Sequence, residues 1–93
     1  MFEVFLSDSV VVFDGRIFEW FRHQAPGSER RYHVAHLGSI AVVSTRKGDT
    51  LRFRVTNGRE NNLGLIPDSE RKEVDGLIAA MERAHASYRA RLG

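Results

Sequence analysis

The residues with the most obvious capacity for chemistry are four cations, Arg46, Lys47, Arg52 and Arg54. Arg52 and Arg54 are two apart, so on a strand they project from one face. Arg46 and Lys47 sit at the turn just before. Two readings follow. One is a solvated strand face. The other is a patch for phosphate-bearing or acidic partners, either anionic lipid or nucleic acid. Nucleic-acid binding would need stacking aromatics beside the arginines. Phe53 interleaves Arg52 and Arg54 but points to the opposite face, so the solvated face is favoured.

The other chemistry-bearing types do not converge. His33 and His36 are three apart, a spacing that suits a metal on a helix, but their segment reads as a strand end with no acid close by. They are expected to be ordinary satisfied or solvated histidines. There is no cysteine, which removes thiolate nucleophiles, cysteine metal clusters and disulfides. No nucleophile elbow, phosphate loop or metalloprotease helix occurs. The expectation is therefore a protein that is not an enzyme, with no catalytic residue, metal or cofactor. A small enzyme without a recognisable motif is the residual alternative.

Ninety-three residues make one domain, 1–93, with 42% hydrophobic and 28% charged residues and a net charge of +2. So small an excess does not in itself imply a polyanionic partner. Nearly all the cations are Arg, only Lys47 and Lys72 being Lys, a bias that a GC-rich genome explains. The opening Met1-Phe2-Glu3-Val4-Phe5-Leu6 lacks a basic n-region, and no apolar run reaches about 18 residues. The simplest expected compartment is the cytoplasm.

The elements that position these residues are short strands up to about residue 66. Phe2 to Leu6, Val10 to Phe13, Arg16 to His23, Arg31 to Val34, Ile40 to Thr45, Thr50 to Thr56 and Asn61 to Ile66 are apolar or β-branched runs between turn residues. Asp14-Gly15 and Asn57-Gly58 read as two-residue hairpin turns, Lys47-Gly48-Asp49 as a turn, and Gln24 to Glu29 as a loop. Thr50 to Thr56 alternates most cleanly, with Leu51, Phe53 and Val55 facing one way. In Arg16 to His23 both faces are apolar. Phe18 and Trp20 share one and Ile17 and Phe21 the other. One face is expected to fill the core, and the other is either covered by the helix or a loop, or open as a partner surface.

From about 69 to 92 the period changes. Val74, Leu77, Ile78, Met81, His85, Tyr88 and Leu92 fall on one stripe, with Asp68 as the expected N-cap. Gly76 is the weak spot, costing about 1 kcal/mol relative to Ala. At 1.5 Å per residue the helix reaches roughly 36 Å, against a body of roughly 25 Å. His85, Tyr88 and Leu92 are therefore expected either to fray or pack on the body, the favoured reading, or to overhang and mediate self-association.

The pieces Val12-Phe13-Asp14-Gly15-Arg16-Ile17, Arg31 through Ile40-Ala41-Val42-Val43, and Gly48 through Val55, followed by the helix, resemble the short bacterial members of the pleckstrin-homology (PH) superfold. The resemblance covers nearly the whole chain and is one of pattern. It implies an α+β, mainly β fold: a seven-stranded antiparallel PH-like split barrel capped by one C-terminal amphipathic helix. The helix stripe here lacks the Trp that eukaryotic PH domains carry. In lipid-binding members the first loop is basic, whereas Ser7-Asp8-Ser9 is acidic. If Gln24 to Arg31 and Asn57 to Glu60 share its rim, Arg30, Arg31 and Arg59 face Asp8, Glu29 and Glu60, leaving no field for a phosphoinositide. The function expected is a PH-like interaction module working through protein–protein contacts, including homo-oligomers.

Overall fold

The computed structural model describes residues 1–23 and 30–92. The loop expected from Gln24 to Glu29, Gly93 and the side chain of Leu92 lie outside the described residues. Seven strands and one long helix follow in order. They are β1 (Phe2–Phe5), β2 (Ser9–Phe13), β3 (Ile17–Arg22), β4 (Arg30–His33), β5 (Leu37–Thr45), β6 (Gly48–Val55), β7 (Glu60–Leu65) and α1 (Arg71–Leu92). One 3₁₀ turn, Val34–His36, joins β4 to β5, and another, Asp68–Glu70, leads into α1. Two antiparallel sheets result, ordered β1-β2-β3-β4 and β5-β6-β7, and they do not close into one barrel.

Alternation decides which side of each sheet faces inward. In the first sheet Val11 stands between Val4 and Trp20, and Phe18 between Phe13 and Tyr32. In the second, Val42 lies opposite Leu51 and Ile40 opposite Phe53. The two inner faces meet through aromatic rings. Phe53 lies 4.8 Å from Phe18 and 5.0 Å from Tyr32 between ring centroids. Val74, Leu77 and Met81 of α1 complete this core, all three essentially inaccessible. Each such side chain contributes about 1.5–3 kcal/mol of burial energy. Trp20 packs against the core from the inner face, with its indole Nε1–H buried and without a partner among the described residues.

Several local expectations are corrected. Asp68 does not cap α1. The chain enters through the 3₁₀ turn, whose N-cap is Pro67 with no side-chain hydrogen bond. The β2–β3 turn is centred one residue later than expected. Asp14 pairs with Ile17 through its own N–H (3.2 Å to Ile17 O), so Gly15 and Arg16 form the tip. Gly15 takes φ +105° there, a region open to glycine. Asp14 instead uses its carboxylate: Oδ1 accepts from the N–H groups of Arg16 and Ile17, both at 2.8 Å. At Asn57-Gly58 only Asn57 has positive φ (+62°), so the turn is not the type I′ that needs both. Strand β5 begins at Leu37, three residues earlier than expected, because the link from β4 is confined to the 3₁₀ turn Val34–His36. Gly76 has a packing reason. A Cβ there would lie 3.1 Å from Phe2 Cε1, so its absence lets the Phe2 ring lie on the helix.

Candidate functional site

The β5–β6 hairpin projects Arg46 and Lys47 from its tip. Thr45 Oγ1 donates to Gly48 O at 2.7 Å and accepts from Lys47 N at 3.3 Å, which holds the tip in shape. Beside it, the β1–β2 turn folds onto the outer edge of β7. Ser7 N–H donates to Leu65 O at 3.0 Å, and Ser9 Oγ donates to Leu63 O at 3.1 Å in the interior. Gly64, with φ +134°, allows this approach. A Cβ at that position would sit 3.0 Å from Asp8 Oδ1. The result is a cleft of about 540 Å³ lined by Ser7, Asp8, Thr45, Arg46, Lys47, Thr50, Asn62, Gly64 and Leu65. Its size lies within the range of small-molecule sites, about 300–1,000 Å³.

This corrects the expected rim. The β6–β7 turn, residues 56–59, is at the far end of its sheet, where Thr56 N–H donates to His36 O at 2.8 Å. The partners of Ser7-Asp8 are therefore the Arg46-Lys47 tip and the end of β7, not Asn57 to Glu60. Two cations and one acid line the cleft, where the expected count balanced. Ser7, Thr45, Thr50 and Asn62 were not singled out from the sequence. Their signal was weak, because what joins them is a corner between two sheets.

Arg52 and Arg54 lie on the outer face of the same sheet. Arg52 stands opposite Ala41 and Asn62, and Arg54 opposite Ser39 and Glu60. From the hairpin tip to Arg54 is roughly 20 Å at about 3.3 Å per residue. The four cations thus form a stripe with Arg46 and Lys47 at the cleft. They do not converge on one point.

The helix end takes the surface-packed alternative. The Tyr88 ring packs edge-on to His33, centroids 4.7 Å apart, and the Arg91 guanidinium lies 5.9 Å from the Tyr88 centroid. His85 and Tyr88 are both half-buried. The helix therefore stays on the body through Tyr88, and any overhang shortens to the turn that follows. The 3₁₀ turn after β4 extends the body beneath the helix.

His33 and His36 do not form a metal pair. His33 Nδ1 accepts from Ala35 N–H at 3.0 Å, capping the 3₁₀ turn, and the two rings are 6.5 Å apart. No group of three His, Asp or Glu with metal-binding geometry occurs among the described residues. Asp14 has a carboxyl pKa held below the ordinary value. The first cause is the hydrogen bond from Ile17 N–H, then that from Arg16 N–H, with the charges of Arg16 and Arg31 adding to them. Its role is to hold the turn.

The outer face of the first sheet carries the row Phe5, Val10 and Phe21, with Val12 and Ile17 beside it. Phe5 is 50% exposed, and none of the five belongs to the core cluster. The helix packs against the inner side, so the expectation that it covers this face is corrected. Among the described residues, no helix is long and apolar enough to cross a membrane. Compared with protein-family models, curated proteins and solved structures, the chain matches none of them.

Proposed function

We propose that this chain is a non-catalytic, PH-like interaction module that acts through protein–protein contacts and self-associates. The two sheets of four and three strands followed by a C-terminal helix support the PH-like assignment. The observation that carries the interaction reading is strand β5. Its nine residues, Leu37 to Thr45, contain no charge and no proline, and it forms an edge of its sheet. Uncharged, regular edges are templates for pairing with another chain. Tyr88 is engaged with His33 inside the chain, so the contact is assigned to β5 rather than to the end of α1. Sedimentation velocity from low to high micromolar concentration tests the reading. A rising sedimentation coefficient is expected, and a single monomer species throughout would overturn self-association.

A second reading is favoured by the cleft. Arg46 and Lys47, with the hydroxyls of Thr45 and Ser7 and the amide of Asn62, offer donors for a phosphate-bearing ligand. Titration with inorganic phosphate, anionic vesicles and a short oligonucleotide at two salt concentrations separates the sources. Binding that weakens with salt and is lost in Lys47→Glu supports it. Absence of binding to all three at low salt removes it.

A further inference from the structure

Two sheets have four edges, and the chain closes or guards three of them. The β1 edge is met by the helix entry, where Phe5 N–H donates to Glu70 Oε1 at 2.8 Å. The β7 edge is met by the β1–β2 turn, through Ser7 N–H to Leu65 O and Ser9 Oγ to Leu63 O. The β4 edge is four residues long among the described residues, and two of them are arginines. Short length and cationic side chains are the usual means of blunting an edge. Among the described residues, only β5 has neither a covering element nor a guard.

The direction of its free backbone groups follows from the next strands. Asp49 O accepts from Ile66 N–H at 2.9 Å, so the main chain of Asp49 faces β7. Ser44, its partner across β5–β6, is therefore in a non-hydrogen-bonded pair. In an antiparallel ladder bonded and non-bonded pairs alternate. Val43–Thr50 and Ala41–Arg52 exchange hydrogen bonds, and the N–H and C=O groups of Ile40, Val42 and Ser44 point away from the sheet. None of these groups has a hydrogen-bond partner among the described residues.

We infer that the occupant of this edge is β5 of a second copy, paired antiparallel about a two-fold axis at Val42. This rests on the self-association reading and specifies its geometry. In that register Val42 faces Val42 of the second copy, and Ile40 faces its Ser44 in both directions. All three outward residues then exchange a pair of bonds, about six hydrogen bonds in all. Ala41 and Val43 face each other across the outer surface, the former exposed and the latter half-buried. Arg46 stands opposite Gly38, so no two like charges are directly opposed. Moving the pairing by one residue sets the outward groups of one strand against the inward groups of the other and forfeits the ladder. Moving the axis to Val43 sets Ile40 against Arg46 at the hairpin tip, and moving it to Ala41 sets Ser44 against Gly38, where the β5–β6 register is irregular. The strand is thus self-complementary about Val42, the requirement for an isologous interface. Two three-stranded sheets become one continuous sheet, and both open edges disappear.

The test uses the full chain. Light scattering gives the mass, and amide hydrogen exchange is followed at low and high micromolar concentration. The expected result is a dimer in which the amides of Ile40, Val42 and Ser44 exchange at least about tenfold more slowly at high concentration, while those of Ala41 and Val43 are protected throughout. Ala41→Lys places an ammonium in the paired surface. Val42→Pro removes an outward N–H without touching the β5–β6 ladder. Each is expected to weaken dimerisation by about tenfold or more, whereas Ser87→Lys on the exposed helix face leaves it unchanged. Circular dichroism establishes that each variant is folded. A dimer that survives both β5 variants, with the three amides equally open at every concentration, overturns edge pairing and leaves self-association standing. Loss of that dimer in Phe5→Glu would move the contact to the apolar row. A monomer at all concentrations overturns both proposals.

Discussion

The two edges of the three-stranded sheet begin from the same central strand and end in opposite situations. β7 gives its outer carbonyls to the β1–β2 turn, one to a backbone N–H and one to a buried hydroxyl. It also meets the β1–β2 turn closely, at Gly64. β5 gives its outer groups to nothing within the described chain. The first edge therefore belongs to the folding unit and holds the two sheets together at their corner. The second is held through β6 and the inward side chains Leu37, Ile40 and Val42. Damage at β7 should reduce stability, while damage confined to the outer face and free edge of β5 should leave the monomer intact.

The largest contrast is in packing. Leu63 is the extra residue where the β6–β7 register shifts, and it is 1% exposed. Leu63→Ala leaves a cavity at the corner, and an expected cost of about 2–5 kcal/mol follows. Val43→Ala on β5 removes a half-buried side chain from the outer face and should cost about 1 kcal/mol or less. Urea unfolding of both variants reads the difference directly. Equal costs would mean that β5 is as tightly integrated as β7.

Next in size is Gly64. Alanine there must adopt φ +134° and place its Cβ against Asp8 Oδ1. The expected loss is about 1–3 kcal/mol. Combining it with Asp8→Ala should recover only the part due to the contact, so the pair separates steric from conformational strain. Ser9→Ala follows, at about 1 kcal/mol, because the carbonyl of Leu63 loses a buried donor. Thermal denaturation of the three variants is the measurement. A Ser9→Ala protein as stable as the parent would show that the turn is not fastened to β7 by that bond.

The β2–β3 turn touches neither edge and serves as a control. Its carboxylate, Asp14, is held below its ordinary pKa of 3.8 by two backbone N–H groups. A depressed folded value means that its stabilising contribution is present above the unfolded pKa. That contribution is lost as pH falls through the folded pKa. Asp14→Ala should therefore be less stable than the parent at neutral pH and equal to it once Asp14 is protonated. A stability difference unchanged between pH 7 and strongly acidic solution would show that the carboxylate is not the cause.

Much of this architecture was legible in the residues. Leu51, Phe53 and Val55 alternate with Arg52 and Arg54, and three of the four stripe positions from Val74 to Met81 are core residues. The cations were found because Arg46, Lys47, Arg52 and Arg54 are neighbours in sequence. Their cleft was not, because Ser7, Asp8 and Asn62 reach it through a corner between sheets. Asp14 misled for a local reason: its carboxylate satisfies the N–H groups of Arg16 and Ile17, which moves the turn one residue on. The open edge was hidden by the same limit as the cleft. That β5 is apolar and β-branched is plain in Ile40-Ala41-Val42-Val43. That it has a neighbour on one side only is a property of strand order, which periodicity does not contain.

The smallest expected effect is therefore the one that bears most on the difference between the edges. Ala41 is exposed and lies on the outer face of an edge strand. A lysine there keeps its stem on the sheet and its ammonium in water. At concentrations low enough to give monomer, Ala41→Lys should change unfolding stability by no more than about 0.5 kcal/mol. Arg52 across the ladder and Arg46 at the hairpin tip add a weak repulsion that salt screens. If the cost is instead more than about 1 kcal/mol at 0.15 M salt, the lysine has displaced a contact within the chain, and β5 is a covered edge like β7. If it is small, and the parent gains stability with concentration while the variant does not, then the part of β5 that does not hold the monomer together holds two copies together.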